Sequence, residues 1–308
     1  MIRIATRGSA LALWQANHVR DRLMAADPAL TVELEIIKTR GDRILDRALS
    51  EVGGKGLFVK EIEEALLDGR AHVAVHSMKD LPAEIPEGLM LGAIPEREDP
   101  RDALIVAPSI KAHDVASLPE RARVGTSSLR RMCQLRVSRP DLDVIPLRGN
   151  VDTRLKRVQA GELDAIVLAC AGLRRLGYGD AITATLSITE SLPAIGQGAL
   201  AIQCRADDPD TRQRLAAMNH PATAFAVAAE RGFLARLEGD CKTPLAAHAT
   251  LSGDQLTVEG LVGAPDGSTL VRDRLWGPAA DGPRLGRELA ERLLARGAQQ
   301  ILDACKAK

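Results

Sequence analysis

Strand and helix patterns alternate without a break through the first eighty residues, and this alternation restricts the fold more than any other property of the chain. Arg3–Ala5 reads as a short strand and Leu11–Ala25 as a helix with Ser9 as its N-cap. Val32–Thr39 reads as a second strand, because Val32, Leu34 and Ile36 alternate with Glu33 and Glu35. An amphipathic helix is predicted near Phe58–Leu67. Ala71–Val75 is a third, apolar strand that ends at His76-Ser77-Met78-Lys79-Asp80. A β-α-β-α-β order predicts an α/β fold with a largely parallel sheet covered by helices on both faces.

At 308 residues the chain exceeds one ordinary core, so two or three domains are expected. The charged, proline-bearing segment Pro95–Asp102 reads as a hinge. A second α/β unit follows, with strands at Arg123-Val124, Val144–Leu147 and Asp164–Ala169. Leu192–Ala199 reads as a second crossing, and Leu200–Gln203 as a strand that rejoins the first sheet. The last third changes character. Ala222–Leu237 is a helix ending at Gly239, and Gln255–Val262 with Thr269–Trp276 forms a hairpin around Ala264-Pro265-Asp266-Gly267. Leu285–Ala295 is a closing helix, capped by Gly297.

Composition removes several function classes. No apolar run approaches a membrane span. The N-terminus enters a strand pattern at once, so a signal peptide is not expected and a cytoplasmic location is. Five scattered cysteines and six histidines show neither a disulfide framework nor ligand spacing, so no metal is expected. A net charge of zero hides an asymmetry. Residues 121 to 175 hold twelve Lys and Arg against five Asp and Glu, a local excess of seven that concentrates anions. Nucleic acid is a poor match, because aromatic residues are only 2% of the chain and stacking platforms are missing. A small polyanion fits better.

Several short strings carry chemistry. Leu237-Glu238-Gly239-Asp240-Cys241-Lys242-Thr243-Pro244 puts Cys241 on an irregular loop after a helix, which favours a presented thiol over a buried one. Gly125-Thr126-Ser127-Ser128 joins a strand to a helix, where it serves either as a plain N-cap or as an anion cradle. Arg130 and Arg131, one turn further on, favour the cradle. Arg148 and Arg154 repeat the strand-loop-helix logic, and arginine suits a two-pronged grip on carboxylates. Asp80 follows a buried strand, where α/β sheets place ligands, although a turn aspartate fits the same pattern. Gly53-Gly54-Lys55-Gly56 fails the phosphate-loop pattern and reads as a lid delivering Lys55, or as a solvent loop.

Together these strings resemble the porphobilinogen deaminase (hydroxymethylbilane synthase) family. The resemblance rests on Ile4–Ala12, Val52–Glu61, Ala74–Pro82, Glu96–Asp102, Gly125–Arg131, Leu147–Thr153, Leu192–Ala199 and Glu238–Pro244, which run in family order over nearly the whole chain. It implies two lobes resembling type II periplasmic binding proteins plus a small α+β C-terminal domain. The boundaries expected are 1–98 with 196–218, then 99–195, then 219–308. It also implies a dipyrromethane cofactor held by Cys241 through a thioether and extended by four porphobilinogen units, each losing ammonia. Asp80 matches the catalytic aspartate. Ser77, Lys79, Thr126, Ser128, Arg130, Arg131 and Arg154 match cofactor-binding positions, and Arg7, Ser9, Lys55, Ser127, Arg148 and Arg175 match substrate-binding ones. A monomer is implied. Asp240 departs from the glycine that many relatives carry before the cysteine, and its charge is expected to raise the thiol's pKa. The competing reading is a non-enzymatic, two-lobed anion-binding protein, against which stand the absent signal peptide and an unneeded Cys241 domain.

Overall fold

The structure is a computed structural model and describes residues 1–43, 56–239 and 243–306. Lys55 and Cys241, with Asp240 and Lys242, lie outside the described residues. The chain opens with β1 (Ile2–Thr6), α1 (Ala10–Ala26), β2 (Val32–Ile36) and a short α2 (Arg40–Arg43). The Ser9 hydroxyl caps α1 by accepting the Ala12 N–H at 3.3 Å. Next come α3 (Lys60–Leu67), β3 (Val73–Ser77) and β4 (Leu89–Ala93). A second series follows: β5 (Asp102–Val106), β6 (Arg123–Gly125), α4 (Leu129–Ser138), β7 (Asp143–Ile145), α5 (Val151–Gln159), β8 (Ala165–Ala169), α6 (Cys170–Arg175) and β9 (Ala184–Thr185). The chain ends with β10 (Leu200–Arg205), α7 (Pro209–Ala216), α8 (Pro221–Leu237), β11 (Leu245–Ser252), β12 (Gln255–Gly263), β13 (Leu270–Pro278), α9 (Gly282–Leu293) and α10 (Gln299–Lys306).

Two compact units emerge, Met1–Arg97 with Ala199–Ala224, and Glu98–Gly198 with Phe225–Lys308. The sheet of the first unit has the order β2-β1-β3-β10-β4. As expected, the strand after the second crossing rejoins it, because β10 inserts between β3 and β4. Four of its five strands run the same way, as expected of a largely parallel sheet, and β10 alone is reversed. β1 pairs parallel with β2 and β3, whereas β10 runs antiparallel to both its neighbours. The β-α-β rule governs only the first three strands, whose connections are helices; β10 returns from a long excursion and enters reversed. One face of this sheet buries Ile4, Val75 and Ile202 against Val19 and Leu23 of α1. On the other, Ala5 and Ala74 pack with Ile62 and Leu66 of α3.

The second unit contains a sheet of order β7-β6-β8-β5-β9, again mixed, with β6 parallel to β7 and β8 and β5 antiparallel to its neighbours. A separate antiparallel sheet, β11-β12-β13, contains the predicted hairpin. β11 was not anticipated, since Leu245-Ala246-Ala247-His248-Ala249 has little β propensity and earns its place by pairing with β12 and by burial. Nor is α9 the closing helix. Gly297, at φ 103°, makes a wide turn over Leu294–Ala298, and α10 continues beyond it. On α8, Glu230 is fully buried, and its carboxylate accepts the backbone N–H groups of Gly196 at 2.6 Å and Ala249 at 2.8 Å.

Candidate functional site

Because β1, β2 and β3 are parallel, their C-terminal ends share one edge of the first sheet, where α/β folds gather ligand-binding groups. Arg7 and Ser9 follow β1. Ser77 ends β3, and a 3-10 turn over Met78–Asp80 follows, anchored by the Met78 N–H on the Ala199 carbonyl at 3.0 Å. That turn leaves Asp80 exposed and Lys79 half-buried. Arg7, Ser9, Ser77 and Asp80 line a cavity of about 60 Å³. The structure thus brings together four residues that the sequence singled out in two separate strings. Lys79 adjoins them in sequence without lining the cavity.

Residues that sequence reasoning missed hold this edge in place. Arg7 donates from Nε to Asp42 Oδ1 at 3.1 Å and lies 4.1 Å from the centroid of the Phe58 ring. Asp42 also accepts from the Thr39 hydroxyl at 2.8 Å. Burial works to raise the Asp42 pKa, but the hydrogen bonds from Arg7 and Thr39 outweigh it and hold the carboxyl low. Gln15 Nε2 donates to Ser77 Oγ at 2.8 Å. Gln15 was legible in principle: a polar side chain stood among Leu11, Ala12, Ala16 and Val19 on the inward face of α1.

The second unit repeats the device. β6, β7 and β8 are mutually parallel through β6, so their C-terminal ends share an edge. Thr126 is buried, and its hydroxyl accepts the Ser128 N–H at 3.2 Å. Ser127 is exposed and donates to the Leu147 carbonyl at 2.7 Å. Ser128 caps α4, accepting the Arg131 N–H at 3.4 Å. Arg148 is exposed beyond β7. Arg154, on α5, donates from Nε to the Gly149 carbonyl at 2.7 Å and forms no ion pair among the described residues. Burial, with Arg131 nearby, pushes its pKa down to about 10. Arg175 donates to the Gly198 carbonyl at 2.7 Å, and burial likewise brings it to about 10 against the opposing pull of Glu98. A half-buried guanidinium depressed in this way gains from an incoming anion.

Arg130 and Arg131 are placed otherwise than as open anion grips. Both turn inward on Asp102, which is 0% exposed: Arg130 Nη1 reaches Oδ2 at 2.7 Å and Arg131 Nη2 reaches Oδ1 at 2.7 Å. The Ser191 hydroxyl at 2.8 Å and Gln197 Nε2 at 2.9 Å complete the shell. Burial pushes the Asp102 pKa up, but two adjacent guanidiniums prevail and hold it far below the carboxylate range. The signal in the sequence was a single acid opening the apolar strand Asp102–Val106.

The family model described as the dipyrromethane cofactor-binding domain of porphobilinogen deaminase matches residues 2–213, and that for the C-terminal domain of porphobilinogen deaminase matches residues 224–295. The porphobilinogen deaminase of Trichlorobacter lovleyi is 55% identical over 302 residues, covering 98% of this chain and 96% of that protein. Among solved structures, a periplasmic domain of BvgS from Bordetella pertussis is 15% identical, with 70% of this chain and 85% of that one covered at a TM-score of 0.41. A TRAP periplasmic solute-binding protein from Desulfovibrio salexigens is 10% identical, with 71% and 72% covered at a TM-score of 0.42. Matched over most of its length by two family models and by a curated relative of nearly the same length, the chain belongs to the porphobilinogen deaminase family.

Proposed function

We propose that this chain joins four porphobilinogen molecules head to tail, releasing one ammonia at each joining, to give hydroxymethylbilane. The reaction is a transferase step of tetrapyrrole and haem biosynthesis. The observation that carries the reading is the position of Asp80: an exposed carboxylate at the end of a buried strand, lining one small cavity with Arg7, Ser9 and Ser77. Asp80 accepts the substrate's pyrrole N–H and offsets the positive charge that grows on the substrate as its carbon–nitrogen bond breaks. Arg7, Ser9, Lys55, Ser127, Arg148 and Arg175 bind its acid side chains. Arg7 keeps Nη1 for this purpose, since its described hydrogen bonds use Nε and Nη2.

The donor set fits a dipyrromethane, which carries several carboxylates on two flat rings. Ser77, Thr126 and Ser128 offer hydroxyls and Lys79 an ammonium group, and Arg154 is a half-buried cation that no described carboxylate neutralises. Arg130 and Arg131 contribute their charge from behind, with Asp102 fixing their planes. When bound, the group supplies the primer on which the new chain grows. Cys241 holds it through a thioether, since a soft thiolate forms a carbon–sulfur bond that resists hydrolysis. The reading extends to three domains (1–98 with 196–218, 99–195 and 219–308) and to a monomer acting in the cytoplasm. Buried free thiols at Cys133, Cys170 and Cys204 suit such a reducing compartment. A purely anion-binding role has no need of Asp80.

Turnover tests the proposal. Purified protein mixed with porphobilinogen is expected to release one ammonia per molecule consumed and to yield a linear tetrapyrrole. Binding without consumption contradicts it and returns the anion-binding reading.

A further inference from the structure

His76 is the one buried histidine in the wall of the cavity that Asp80 lines, and the catalytic reading leaves it unused. It shares a face of β3 with Ala74, turned toward α3. Its Nε2 lies 3.1 Å from Gln203 Oε1, and Gln203 Nε2 donates to Glu63 Oε1 at 2.9 Å. Direction follows from donor chemistry. The Glu63 carboxylate only accepts, so the amide nitrogen of Gln203 must face it, and the amide oxygen must face His76. An oxygen cannot donate, so Nε2 carries the imidazole proton and Nδ1 holds a bare lone pair. No hydrogen bond to Nδ1 occurs among the described residues. Burial, and after it the positive charge of Arg7, pull the ring's pKa down to about 4 against the bond from Gln203, which keeps the ring neutral at physiological pH.

The cavity measures about 60 Å³. A water-sized group needs only about 10–15 Å³ of such space, so the cavity has room for a nitrogen carrying its hydrogens. Asp80, Ser9 and Ser77 add acceptor oxygens to the same wall. The nearby guanidinium of Arg7 is paired with Asp42 through Nε and Nη2 and keeps Nη1 for the substrate's acid side chains. A site of this size, rich in acceptors, with a histidine kept unprotonated, suits an ammonium-type nitrogen, which has donors alone.

Resting on the function proposed above, we infer that this cavity receives the aminomethyl nitrogen of the substrate and the ammonia it becomes, with His76 Nδ1 accepting one of its N–H groups. The bond to Nδ1 points the carbon–nitrogen axis away from the ring. When that bond breaks, the electron pair leaves on nitrogen and neutral ammonia departs from the ammonium form. The positive charge stays on the substrate's methylene carbon and pyrrole ring, facing Asp80. His76 neither gains nor loses a proton. A protonated imidazole here would repel the ammonium; burial of the ring prevents that, while the Gln203–Glu63 chain fixes which nitrogen carries the proton.

The test has two arms. In resting protein labelled with nitrogen-15 histidine, His76 is expected to show a pyridine-type Nδ1 and a protonated Nε2. Ammonium chloride, and not potassium chloride, is expected to shift the Nδ1 signal. A protonated Nδ1, or one indifferent to ammonium, overturns the proposal, and this arm needs no turnover. In the second arm, His76→Gln keeps a group toward Gln203 but none at Nδ1, whereas His76→Asn places an amide oxygen near Nδ1. With thermal midpoints confirming folding, His76→Gln is expected to lose roughly 10- to 100-fold in kcat/KM, the value of one hydrogen bond to a charged group, and His76→Asn to recover part of it. The reverse ranking marks His76 as a structural link to Gln203 and overturns the proposal while the overall reaction stands. Failure of the wild-type protein to consume porphobilinogen instead overturns the reaction itself, and the ammonium titration still decides the pocket.

Discussion

Asp80 owes its exposure to what precedes it. Val73, Ala74 and Val75 are buried in the middle of a sheet, and the 3-10 turn that follows lifts the carboxylate out of the core at the strand's end. Asp80→Ala removes charge and hydrogen-bonding capacity at no packing cost. It is expected to keep the wild-type thermal midpoint and lose roughly 10²–10⁴-fold in kcat, which steady-state assay with porphobilinogen reads directly. Asp102 is the opposite kind of aspartate, since removing its charge strands two buried guanidiniums. Asp102→Asn should cost about 3–5 kcal/mol in urea denaturation. Its folded-state pKa is depressed, so its contribution is complete above the ordinary aspartate value of about 3.9 and is lost as pH falls beneath that value toward the folded-state one. The variant should therefore show a flatter fall in stability below about pH 4 than the wild type. Asp80 was picked out by its place at a strand end and Arg7, Ser9 and Ser77 by the family resemblance, and all four line one cavity. The inward turn of Arg130 and Arg131 was not legible, because their partner lies 28 and 29 positions away and local pattern says nothing of it.

Among the elements, the crossing segments carry a tight backbone constraint. The Glu98 N–H donates to the Gly198 carbonyl at 3.2 Å, and the same carbonyl accepts from Arg175. Gly198 has φ +88°, and a Cβ there would stand 2.2 Å from the Glu98 carbonyl oxygen. Gly198→Ala is expected to cost more than about 1 kcal/mol, read as a lower urea midpoint at unchanged slope. Apolar periodicity exposed β1, β2, β3 and β10 of the first sheet and β6, β7 and β8 of the second, and the end of β8 led to Arg175, but β4, β5 and β9 were missed. It did not expose strand direction: nothing within Leu200–Arg205 distinguishes a strand entering parallel from one entering reversed, because both bury the same residues. For the same reason the alanine-rich β11 escaped notice, since its identity as a strand depends on its partner β12.

Across the whole chain, each of the two compact units gathers polar groups at the C-terminal ends of its parallel strands, by the same rule and with different side chains. The first offers Asp80 and the small cavity; the second offers hydroxyls and Arg154. That division matches a reaction in which bond breaking needs one carboxylate and a lengthening polyanion needs many cations. Order of motifs along the chain made this legible, and no single motif did. The proposed function puts the covalent anchor at Cys241. Intact-protein mass followed by peptide mapping of freshly isolated, active protein should find two linked pyrrole rings added on the peptide that contains Cys241, and Cys241→Ser should have no such addition. An unmodified mass in active protein, or the rings on any other residue, contradicts the account.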